Sequence, residues 1–83
     1  MKLFNITDAR TFFERVLQCQ GWIGSIERDG SERDLKQIAR EMLASGMVKH
    51  IGVIRRIDLR VEEPADKGLL LNFAVQAQDR RAG

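Results

Sequence analysis

"WIGSIERDGSERDLKQI", Trp22 to Ile38, is the stretch on which the fold turns. Its first half alternates. Trp22, Gly24 and Ile26 fall on one side and Ile23, Ser25 and Glu27 on the other, the period of two that marks a strand. Asp29-Gly30 then interrupts with a pair that accepts the positive φ angles of a tight type I′ turn. Ser31 to Arg33 return as a short second strand. Asp34 follows as the N-cap of a helix from Leu35 to about Ala44, where Leu35, Ile38, Ala39, Met42 and Leu43 recur at spacings of three and four. Ser45-Gly46 closes that helix. The segment is a hairpin that runs straight into a helix.

Upstream, Asp8 to Gln20 carries Ala9, Phe12, Phe13, Val16 and Leu17 on one helical face. Thr7 or Asp8 supplies the cap, and Gly21 is placed to end the helix in a left-handed conformation. Leu3 to Ile6 reads as a first strand. Downstream, Ile57, Leu59 and Val61 alternate with Asp58, Arg60 and Glu62, a strand buried on one side. Pro64 suits the first turn of a last helix, whose inner stripe is Ala65, Leu69, Leu70, Phe73 and Ala77. Met47 to Arg56 matches no period cleanly. The predicted order is β–α–β–β–α–β–α: an α/β (α+β) open-faced β-sandwich, with an antiparallel sheet and three helices on one face. Residues 1–78 form a single domain and 79–83 a frayed tail.

Composition agrees with this plan. Eighty-three residues provide one modest core, 43% of them hydrophobic and 31% charged, as in a soluble globular domain. With Trp22, four Phe and no Tyr, that core must be mainly aliphatic. The only cysteine is Cys19, so no internal disulfide forms, which suits the cytoplasm. No apolar run approaches the roughly 18 residues a membrane span needs, and Met1-Lys2-Leu3-Phe4 turns polar too soon for a signal peptide. A net charge of +2 does not by itself announce a nucleic-acid binder.

The order and spacing of these segments resemble the histidine phosphocarrier family of the bacterial sugar phosphotransferase system, HPr. The likeness runs from about Leu3 to Gln76 and rests on the first helix, on "WIGSIERDGSERDLKQI" and on "IDLRVEEPADKGLLLNF". "DGSERDLKQI" is its most distinctive part, a turn, a short strand and a Leu-Lys helix start in succession. The family's reactive loop carries histidine followed by Ala-Arg-Pro just ahead of the first helix. Here the matching residues are Asp8-Ala9-Arg10-Thr11, so the phosphoryl acceptor is missing. A carboxylate does not replace imidazole, which offers a neutral nucleophilic nitrogen near neutral pH. The regulatory serine that some relatives place at the start of the short helix is Gln37 here. The resemblance therefore implies an HPr-like domain that is not an enzyme, needs no cofactor or metal, and binds or regulates another protein. Its contact surface would be Asp8 and Arg10 with Gln37, Ile38 and Met42.

Each of these residues also has a plainer reading. Asp8 and Arg10 can be an N-cap and a solvated arginine. An aspartyl-phosphate at Asp8 needs Mg²⁺-binding carboxylates that no spacing provides. Ile38 and Met42 fit the inner face of their helix beside Leu35 and Leu43, and spacing alone does not separate core from contact surface. His50 has no metal-ligand partner at a useful interval, and Cys19 reads as a small buried hydrophobe. Lys49, Arg55, Arg56 and Arg60 raise the alternative of a small nucleic-acid-binding module. Asp58, Glu62 and Glu63 dilute that charge, and no aromatic residue is near in sequence to stack on bases, so nucleic acid is the weaker partner. A homodimer through the sheet face or an edge strand remains a third option.

Overall fold

A computed structural model describes residues 1–71 of the chain. Their order is β1 (Lys2–Ile6), α1 (Ala9–Gln18), β2 (Ile23–Ile26), β3 (Glu32–Asp34), α2 (Leu35–Ser45), a 3-10 helix (Met47–His50) and β4 (Ile54–Val61). Residues 66–71 are helical again. The strands form one antiparallel sheet in the order β1-β4-β2-β3. Leu3 on β1, Ile23 on β2 and Leu59 on β4 meet Phe12 and Val16 of α1, Leu35 and Ala39 of α2, and Leu70, in a single buried cluster. The architecture is α+β, an open sheet with the helices packed against it. The expected helix stripe at Phe73 and Ala77 and the tail at 79–83 lie outside the described residues.

Both caps form as the sequence implies. Asp8 accepts from the Thr11 N–H, and Asp34 accepts from those of Lys36 and Gln37. Gly46, at φ 78°, ends α2. Gly21 does not play the corresponding part for α1. That helix stops at Gln18 with Cys19 already extended, and Gly21 is not among the glycines of positive φ. What requires glycine there is proximity, because a Cβ would come within 2.8 Å of the Glu63 Cβ.

The hairpin turn also differs from its prediction. A type I′ turn needs two residues at positive φ, and only Gly30 has one, at 86°. Gly30 N–H donates to the Glu27 carbonyl at 3.0 Å and Glu27 N–H to that of Ser31 at 2.8 Å, closing a longer loop with the glycine as a bulge. Asp29 selects this form by accepting from both the N–H and the hydroxyl of Ser31. Ala65, expected on an inner stripe, is exposed, since Pro64 and Ala65 occupy a turn ahead of the helical residues. Lys67 N–H reaches the Pro64 carbonyl across that turn at 3.2 Å.

The region without a clean period has a physical cause. After α2 the chain makes one 3-10 turn and passes Gly52 at φ 69° before β4 begins. On the neighbouring strand Asn5 takes φ 55°, a left-handed value asparagine tolerates better than most residues. The in–out alternation slips at this level on both strands. Leu3 and Ile6 are both buried, and Arg55 and Arg56 are both exposed between Ile54 and Ile57, which pack against the core.

Gly24 marks a close approach. A Cβ there would sit 2.3 Å from the Trp22 ring, which folds back over the strand on the open side of the sheet. Gly24→Ala is expected to expel the ring, red-shift the emission of this single tryptophan, and cost about 1–3 kcal/mol of stability. Fluorescence combined with urea titration checks both effects.

Candidate functional site

The start of α1 is fixed by its own side chains. Thr11 donates its N–H to Asp8 Oδ1 at 3.1 Å and its hydroxyl to Oδ2 at 2.7 Å, so both carboxylate oxygens are engaged. These bonds, with the Arg10 guanidinium nearby, hold the Asp8 carboxyl below the usual range. A fixed negative charge thus occupies the place where free N–H groups and the helix dipole would otherwise attract an anion. Arg10 is exposed. A shallow cavity of about 220 Å³ lies here, lined by Thr7, Asp8, Arg10, Val48, Lys49 and Gly52.

That lining gives the direction of the helix pair. The 3-10 helix that follows α2 lies beside the start of α1, while Lys36 Nζ, at the start of α2, donates to the Cys19 carbonyl just past the end of α1. The two helices are therefore antiparallel. Asp8 and Arg10 adjoin Val48 and Lys49, and Gln37 lies toward the opposite end, about 15 Å away along a helix of this length. Gln37 is exposed, and its amide reaches Glu41 at 3.5 Å. Ile38 and Met42 are half-buried, packed against the core's margin with part of each side chain in solvent. The inner-face reading thus holds for part of each side chain. Met47, on the 3-10 helix, is 54% exposed and extends the apolar surface toward the Asp8 end.

The basic residues do not form one patch. Lys49 belongs to the α1 end, whereas Arg55, Arg56 and Arg60 lie on β4. Arg60 is committed: it pairs with Glu32 at 3.2 Å and Glu62 at 3.3 Å, and its guanidinium stands 5.9 Å from the centre of the Trp22 ring. The sequence shows no aromatic residue near this group, but the fold supplies two. Phe4 on β1 lies directly opposite Arg56, and Trp22 lies under Arg60. Reading Leu3 to Ile6 as a strand does not reveal the partner strand that sets Phe4 beside Arg56.

The remaining candidates stay plain. His50 is exposed at the end of the 3-10 helix. Cys19 is buried, donates to the Arg15 carbonyl, and has its thiol pushed up by that burial, which makes it a poor nucleophile. Among the described residues no group of three or more His, Cys, Asp or Glu is placed to hold a metal, and no helix is long and apolar enough to cross a membrane. Comparison with protein-family models, curated proteins and solved structures yields no match.

Proposed function

We propose that this chain is an HPr-like scaffold that acts by binding another protein in the cytoplasm, without carrying phosphate. The observation that supports this most directly is Asp8. At the position where the resemblance expects a phosphoryl-accepting histidine, a carboxylate stands with both oxygens held by Thr11. The element order β–α–β–β–α–β, continuing into helix at 66–71, agrees with the resemblance. The contact surface runs from Asp8 and Arg10 along Met42 and Ile38 to Gln37. The antiparallel helices make it a strip, not a compact spot, and a partner that uses all of it must span about 15 Å.

Incubation with phosphoenolpyruvate and the sugar-system phosphotransferase is expected to leave the protein unlabelled. Stable label on His50, its single histidine, would overturn the reading. The binding half is tested by affinity capture from the native cell, repeated with Asp8→Ala, Arg10→Ala and Met42→Ala. A partner retained by the wild type should be lost by these variants, and unchanged capture by all three removes the proposed surface.

A second reading, a small nucleic-acid-binding module, is favoured by one observation: Phe4 and Trp22 stand beside Arg56 and Arg60 on the open side of the sheet. It requires retention on single-stranded nucleic acid that weakens steeply with salt. No retention at low salt removes it.

A further inference from the structure

The ladder between β2 and β4 ends early. It pairs Ile23 with Val61, Gly24 with Arg60 and Ser25 with Leu59, and stops. Continued one residue at a time, that register would set Ile26 against Asp58, Glu27 against Ile57 and Arg28 against Arg56. These same residues instead line an opening of about 490 Å³. Each bank is held from behind, because Ile26 still pairs with Glu32 on β3, and Ile57 with Leu3 on β1. The two halves of the sheet part at this level around a cavity in the size range of small-ligand sites, about 300–1,000 Å³.

The charges in the opening are unequally satisfied. Glu27 is paired with Arg33 at 3.7 Å, and Asp58 lies 3.9 Å from the N-terminal ammonium. Arg28 and Arg56 make no ion pair or side-chain hydrogen bond among the described residues. Arg28, in the turn beyond β2, and Arg56, on β4, line the same opening, and like charges so placed repel one another unless something negative lies between them. A guanidinium presents a planar fork of donors that fits phosphate oxygens two at a time. Phe4, 40% exposed and directly opposite Arg56, offers an apolar surface beside the opening.

We propose that this opening binds a phosphomonoester, with Arg28 and Arg56 gripping its dianion from opposite banks and the body of the molecule running toward Phe4. The site is independent of the α1–α2 surface and stands or falls without it.

The test follows backbone amide resonances of the whole chain during titration with inorganic phosphate, ribose 5-phosphate and adenosine 5′-monophosphate. Saturable shifts are expected in residues 25–28 and 56–58. Arg28→Gln and Arg56→Gln should each weaken binding roughly tenfold or more, while Arg40→Gln, which alters an exposed cation on α2, leaves it unchanged. Both arginines that are changed are exposed, so the variants keep the fold, and the same spectra verify it. Tighter binding of the nucleotide than of the sugar phosphate, abolished in Phe4→Ala, supports the site with Phe4 under a planar base. Equal binding of the three keeps the two-arginine grip on phosphate and overturns the part given to Phe4 and the ester's body. Absence of saturable shifts at millimolar probe, or an equal loss in Arg40→Gln, overturns the proposal.

Discussion

Phe12→Ala is expected to remove about 3–5 kcal/mol of folding stability, enough in a domain this small to unfold a large share of the molecules. Phe12 has no solvent exposure and is among the largest fully buried side chains. Its ring sits 5.5 Å from that of Phe13 at a tilt of 54° and shares the cluster with Leu3, Ile23, Leu35, Leu59 and Leu70. These neighbours come from both the sheet and the helices, so no one element can move in to fill the space. The cost of a large-to-small change depends on such collapse, and here the wall includes three paired strands. Phe4→Ala provides the comparison. It removes the same atoms from a position 40% exposed at the sheet edge, and is expected to cost about 1 kcal/mol or less. Urea denaturation of both variants reads the contrast. Equal midpoints would mean that the core does not centre on α1.

What could be read from the chain beforehand follows the range of the interactions involved. The caps at Asp8 and Asp34 are contacts over two or three residues, and they appear where the sequence puts them. The inner faces of α1 and α2 are legible for the same reason, since a helix repeats its own environment every turn. The end of α1 is not, because Gly21 answers to Glu63 and Asp66, more than forty residues on. The hairpin turn departs from the expected type even over two residues, where the Asp29–Ser31 bonds outweigh the usual preference of Asp-Gly. The phase slip of β4 is encoded on a different strand, at Asn5, so no scan of residues 51–56 could reveal it. The candidate site divides in the same way. Asp8 as a cap was readable; the antiparallel course that separates Gln37 from Asp8 was not. Arg28 carries no signal in the sequence, because its distinction is that the β2–β4 ladder stops short of it.

Asp66 is the second residue where a single substitution should matter greatly, and it is one that pattern alone does not single out. At 3% exposed it is the buried charged residue among those described. Its Oδ1 accepts from the Gln20 N–H at 2.9 Å and its Oδ2 from the Gly21 N–H at 2.8 Å, which fastens the start of the last helical segment to the junction of α1 and β2. Asparagine keeps one acceptor and turns an NH₂ toward the other N–H, leaving a buried donor unpaired. Asp66→Asn should therefore destabilise the fold more than Asp29→Asn, whose bonds are to Ser31 in an exposed turn. The two N–H bonds also hold the Asp66 carboxyl below its ordinary value. A depressed folded-state pKa means that the stabilisation is complete above the unfolded value, near 4, and disappears as pH falls through the folded value beneath it. Melting temperatures of wild type and Asp66→Asn should thus differ by a constant amount from about pH 7 to pH 5, and converge in the acid region below about pH 4. Asp8 and Asp29 titrate in the same sense in both proteins, so the difference between the two curves isolates Asp66. A gap that stays constant into strong acid would show that the side chain's shape, and not its ionised oxygens, ties the last helical segment to the junction of α1 and β2.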